Sequence, residues 1–175
     1  MERKEILRVI NILLILCLTL ATTFAQSLND ISTPEKKRKH YLGMHAGSTT
    51  GYGVSYRYWP DKLGLQVTLF PYISSDNSFL SLGISGLMKV HELEKLDVFL
   101  YLGNHFRYSQ DKYYYDYNQY EIDNYFNWSI GFGGGLNIRI AKILRLSVMT
   151  GLGNYDILNN YQLTFAGEVG FYYTF

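Results

Sequence analysis

Cysteine is almost absent from this chain. The single one, Cys17, lies inside an apolar run near the N-terminus and follows Leu16 rather than a small residue, so lipid attachment there is not expected. With no other thiol, a disulfide framework and a thiolate metal site are both excluded. Long apolar runs are equally scarce: past residue 25 none approaches the ~20 residues that a membrane-crossing helix needs. A barrel stays open, because alternating strands average their hydropathy toward zero. An excess of charge of one sign is also missing. Residues 26–175 hold 13 Lys or Arg and 13 Asp or Glu, so nothing draws in nucleic acid over long range. Four histidines are scattered without ligand spacing, and neither a metal nor a cofactor is expected.

What is present begins with an address. Arg3, Lys4 and Arg8 precede a nearly unbroken apolar run from Val9 to Ala21, and Thr23-Phe24-Ala25 puts small residues where signal peptidase reads. This is the pattern of a secretory signal peptide cleaved after Ala25; the rival, a retained helix, is short of a bilayer's width. Residues 26–39, with Lys36-Lys37-Arg38-Lys39, read as a flexible periplasmic leader, and residues 40–175 as one barrel domain.

Strand-like alternation then recurs at 40–48, 51–59, 63–73, 79–90, 95–107, 124–140, 143–154 and 161–175, separated by turn residues such as Pro60-Asp61 and the Ser/Asp/Asn cluster after Ile73. An even count leaves both termini on one side. With the N-terminus periplasmic, the inner connections 60–62, 91–94 and 141–142 are all short and the outer ones include the longest, 108–123. The first outer connection is unexpectedly brief. The chain therefore predicts an all-β fold, an eight-stranded antiparallel up-and-down transmembrane β-barrel.

The two faces of these strands differ in kind. One phase carries Leu42, Met44, Tyr52, Val54, Leu100, Leu102, Phe132, Val148 and their like, with no charged residue. A Lys or Arg at mid-bilayer would cost about 2–4 kcal/mol, so this phase is suited to lipid. The other phase, rich in Gly, Ser, Asn and charge, reads as a small polar lumen nearly filled by side chains. A soluble lipocalin-like barrel would have the opposite arrangement.

The closing strand places Phe171, Tyr173 and Phe175 on one side and ends on the bare aromatic. It resembles the terminal strand of bacterial outer-membrane barrels that the barrel-assembly machinery recognises. Together with the signal peptide and eight strands, the chain resembles small OmpA/OmpX-type barrels. Its Gly- and Tyr-rich opening, residues 40–58, is similar to uncharacterised barrel proteins of Bacteroidetes-type bacteria. The resemblance implies location in the outer membrane of a Gram-negative cell, among outer-membrane lipid and lipopolysaccharide. It brings no catalytic signature, and no wall-binding domain is expected after Phe175.

Candidate functional residues follow from the two faces. Arg57, Lys89, Asp97, Arg139, Arg145, Glu168 and His45 share the inward phase and are expected to form an ion network that plugs the lumen. In it Glu168, ionised among cations, would reach Arg145 and His45. A second candidate is the outer stretch 108–123, where Tyr113, Tyr114, Tyr115, Tyr117 and Tyr120 stand among four acids. Tyrosine gives broad contact at small entropic cost, which suits an extracellular protein or glycan as partner; the alternative is that strands five and six simply continue through it. Enzyme activity is not expected: His45, His105, Ser55 and Ser81 show no spacing that brings a serine to a histidine. The reading is thus a structural or surface-interaction barrel, with a narrow channel as the alternative and a lipid A-modifying enzyme as a weaker one.

Overall fold

The computed structural model describes residues 39–74, 77–116, 119–157 and 162–175; the expected signal peptide and residues 26–38 of the expected leader lie outside them. Eight strands follow in order: β1 His40–Gly47, β2 Gly51–Tyr58, β3 Leu63–Ile73, β4 Asn77–Glu92, β5 Leu96–Asp116, β6 Gln119–Ala141, β7 Leu144–Tyr155 and β8 Gln162–Thr174. Each pairs antiparallel with the next, and β8 pairs with β1 to close the ring. The expected fold is found. At the seam, Phe175 N–H donates to His40 O at 3.0 Å and His40 N–H to Phe175 O at 3.3 Å, and the two rings stack at 5.6 Å. The terminal aromatic thus fastens the closure.

Alternation sets what faces in. Leu42, Met44, Val54, Leu102 and Phe132 stand exposed, while Tyr41, His45, Ser55, Tyr101 and Gly131, their neighbours in sequence, are buried. The outward phase is apolar around the ring; Asn104, an amide on it, accepts from Trp128 Nε1 at 3.4 Å. Among the described residues no helix is long and apolar enough to cross a membrane.

Three expectations need correction. β4 runs from Asn77 to Glu92, absorbing parts of both flanking turns, with a bulge between Lys89 and His91. The bounds 95–107 and 124–140 are too short: β5 continues to Asp116 and β6 starts at Gln119, with Lys112 opposite Ile122 and Tyr114 opposite Tyr120, so the alternative in which both strands continue through 108–123 is the one found. Tyrosine and isoleucine favour the pleated state, so the residues that suggested a recognition loop also extend the ladder. Third, Tyr52, assigned to the outward phase, turns inward: its ring stacks on Phe79 at 5.6 Å and meets His105 edge-on at 5.3 Å.

The reason for the third is the first hairpin. Gly51 and Gly53 have φ of 83° and 128°, values that side chains with a Cβ rarely adopt. They let the end of β2 leave the wall and carry the turn 48–50 into the lumen.

Candidate functional site

The turn 48–50 between β1 and β2 is the plug. Thr49 and Thr50 are wholly buried. One glycine from each of β4, β5, β6 and β7 makes room for them. A Cβ on Gly83 or Gly103 would strike the turn's carbonyl oxygens, and one on Gly131 or Gly153 the Thr49 side chain. Gly103, Gly131 and Gly153 stand directly opposite one another in the register.

Glu168, on β8, holds the turn from below. Its Oε1 accepts from Thr49 N–H at 3.2 Å and from the Thr49 hydroxyl; its Oε2 accepts from the Thr50 hydroxyl. His45 Nε2 lies 2.6 Å from Thr50 Oγ1 and 3.4 Å from Glu168 Oε2, and its Nδ1 is 3.1 Å from Tyr172 OH. A buried carboxylate is costly unless several donors satisfy it, and here the backbone and side chains of the turn supply them. From the side, His105 Nδ1 donates to Ser48 O at 2.9 Å, which leaves Nε2 to accept from the Ser81 hydroxyl at 2.9 Å.

Below this polar layer the lumen is closed by a different chemistry. Tyr41, Trp59, Leu87, Phe99, Tyr101, Met149 and Tyr172 form a buried cluster, so the lumen is not polar throughout as the sequence suggested. Arg57 sits in its middle with no exposed surface. Its Nη2 and Nε donate to Gln66 Oε1 at 2.6 and 3.1 Å, and Nη2 also reaches Ser147 Oγ and Tyr172 OH at 3.3 Å. The guanidinium carbon lies 4.4 Å from the Tyr172 ring centre and 5.6 Å from those of Trp59 and Phe99. Neutral acceptors and ring faces, the latter worth about 2 kcal/mol each when water is excluded, compensate this charge.

The seven residues proposed as one network are therefore distributed among several settings. His45 and Glu168 meet. Arg145, expected to reach Glu168, stands opposite Tyr172 on β8, while Met149 is opposite Glu168; the turn's threonines occupy the place assigned to it. Arg57 occupies the aromatic layer. Lys89 donates to Glu92 Oε2 at 3.3 Å and lies 5.3 Å from the Trp59 ring centre. Asp97 accepts from Asn137 Nδ2 at 3.1 Å, and Arg139 is opposite Arg145 near the N-terminal end. Phe171, Tyr173 and Phe175 share the outward, exposed phase of β8. Tyr113, Tyr114 and Tyr120 are paired in the β5–β6 ladder, and Tyr115 lies in β5 at the register shift between Tyr114 and Asp116; Tyr117 lies outside the described residues.

Sequence reasoning missed two things. Thr49 and Thr50 passed as an ordinary connection, though the inward glycines on four strands signalled that something bulky enters the lumen. The Ser81–His105 bond joins neighbouring strands across 24 residues, so spacing along the chain does not reveal it. Gly83 pairs with His105, so Ser81, two positions on, reaches the ring diagonally. Both residues are buried, with Tyr52 N–H donating to Ser81 Oγ at 3.3 Å, so the pair anchors the turn. Among the described residues no group of three or more His, Cys, Asp or Glu could hold a metal.

Fold and site together define a small closed barrel, apolar outside and sealed by its own first turn and an aromatic layer. Solved structures similar to it include the N-terminal barrel domain of Pseudomonas aeruginosa OprF (12% identity, 77% of this chain and 96% of that one, TM-score 0.44) and Neisserial surface protein A (11%, 78% and 94%, TM-score 0.45). A third is the Yersinia pestis attachment invasion locus protein Ail, solved with the heparin analogue sucrose octasulfate (13%, 78% and 94%, TM-score 0.44). No family model and no curated protein sequence matches the chain.

Proposed function

We propose that this chain is an integral barrel of the bacterial outer membrane that does not conduct, and that it acts at the cell surface through its outward hairpins. One observation carries the location. Exposed side chains such as Leu42, Met44, Leu102, Phe132 and Phe171 are apolar around the ring, while Arg57 and Glu168 are buried inside. Only a hydrocarbon surround makes that inversion favourable. The eleven residues of β3 match the ~9–11 of a tilted bilayer-crossing strand. The layers built on Thr49 and on Arg57 support a closed lumen, and β5–β6 supports the surface role. It projects past the last β4 partner, Asn77 opposite Asp111, and past the last β7 partner, Asn154 opposite Ile130.

The mature chain is expected in the detergent-extractable outer-membrane fraction, as a folded form that migrates differently on gels before and after boiling. Recovery of folded protein from periplasmic extract without detergent overturns the location. In planar bilayers it should give no stable conductance; large steady openings would favour the channel. The Ser81–His105 bond is the observation that favours a lipid A-modifying enzyme. Mass spectrometry of lipid A from overexpressing cells tests that reading, with an unchanged spectrum expected.

A further inference from the structure

We infer that the barrel wall is breached sideways within the membrane, and that a membrane lipid occupies the breach with its acyl chain against the inward faces of Phe70 and Tyr72. The inference rests on the outer-membrane location proposed above. The β2–β3 ladder ends at Val54 opposite Leu69, yet β3 runs on to Ile73 and stays paired with β4 throughout. On the other flank, the β1–β8 ladder ends at Ala46 opposite Val169, while β8 begins at Gln162 and is paired with β7 over its whole length. The turn that would have filled the interval has folded inward beneath it. Over this interval no strand among the described residues stands between β3 and β8.

The outer wall beside this interval is apolar. Pro71, Leu80, Tyr108 and Phe126 form one outward row across β3 to β6, and Leu80 and Phe126 are exposed. Ile73 and Phe165, at 84% and 82%, are the most exposed large apolar side chains of the described barrel, and they flank the gap on either side. Deeper inward-phase residues of β3, Gln66 and Thr68, have no exposed surface; Phe70 and Tyr72 on the same phase are 40% and 51% exposed. Tyr52, stacked on Phe79, makes the floor.

Aromatic faces open to the acyl layer suit a hydrocarbon chain. On the β8 edge Phe165 O accepts from Tyr155 OH at 3.4 Å; the other groups of the two open edges ask for more, because backbone donors and acceptors are not tolerated bare in hydrocarbon. Pro71 removes one donor from the β3 edge, in keeping with the confinement of proline to edges. The remaining groups call for the ester, amide or hydroxyl of the same molecule. An amphipathic lipid fits both demands; a plain alkane or a water column fits only one.

The test uses the full mature chain in nanodiscs of phosphatidylcholine with or without dibrominated acyl chains. In a Trp128→Phe background, with Trp59 enclosed in the lumen, Tyr72→Trp reports on the breach; Phe70→Trp serves if the first variant does not fold. Bromine should quench the new tryptophan to within about twofold of native Trp128 on the outer wall, and leave Trp59 unchanged. Quenching at Trp128 but not at position 72 or 70 overturns the inference, and strong acrylamide quenching there in its place identifies a water-filled vestibule. Absence of quenching at Trp128 as well defeats the membrane location itself.

Discussion

Arg57 shows how a single charge is kept inside this barrel without an acidic partner opposite it in the register. Gln66, its opposite number on β3, spends its carbonyl oxygen on two guanidinium nitrogens. Gln66→Leu would leave these donors unsatisfied, and bonds to a charged group are worth about 1.5–3 kcal/mol. Urea unfolding in lipid vesicles should show a loss of that size. Glu168→Ala removes the acceptor of Thr49 N–H and of both threonine hydroxyls, so the folded band on gels should convert at lower temperature. Conductance should stay negligible in that variant, because the layer of Phe99, Met149 and Tyr172 is untouched. Neither partnership was legible in the sequence. The inward phase of Arg57, Glu168 and His45 was, since alternation fixes it; which inward residues meet depends on strand stagger, which alternation does not encode.

At the scale of the element, the first hairpin is governed by glycines on other strands. Gly131→Ala would place a methyl group in the Thr49 side chain, an overpacking change that costs about 1–3 kcal/mol. Thr49→Gly, which removes the clashing atoms, should recover part of that stability in the double variant. A cycle without coupling between the two would show that the turn does not occupy the lumen. Strand phase was readable for nearly every element because one face carries no charge. It failed at Tyr52, where two positive-φ glycines break the alternation. Element length was less legible: the tyrosines and acids of 108–123 fit a loop as well as a continued ladder, and pairing across β5 and β6 decides for the ladder. Tyr108 OH and Gln110 Nε2 both donate to Asn124 Oδ1, at 2.9 and 3.1 Å.

For the whole molecule, the proposed surface role assigns different work to the barrel and to its projecting hairpin. Replacing residues 110–121 with a two-residue turn removes ladder that is mostly shared by β5 and β6 alone, so the barrel should fold and keep its heat-modifiable gel shift. Binding to whole cells or to glycan arrays, measured before and after the replacement, should fall at least tenfold wherever the intact protein binds. Loss of the folded band would instead make the hairpin part of the barrel's stability.

The brief β1–β2 pair has a consequence for the surroundings. In the membrane location proposed above, a belt of greasy side chains that is lower on one flank than on the other meets the bilayer with unequal thickness. Lipids beside that flank must thin, or the cylinder must lean, at a cost of fractions of a kcal/mol per Å of mismatch. Neighbouring proteins with a similarly low flank would share the thinned patch and so tend to gather on that side, giving this small barrel a preferred direction of approach in the membrane plane.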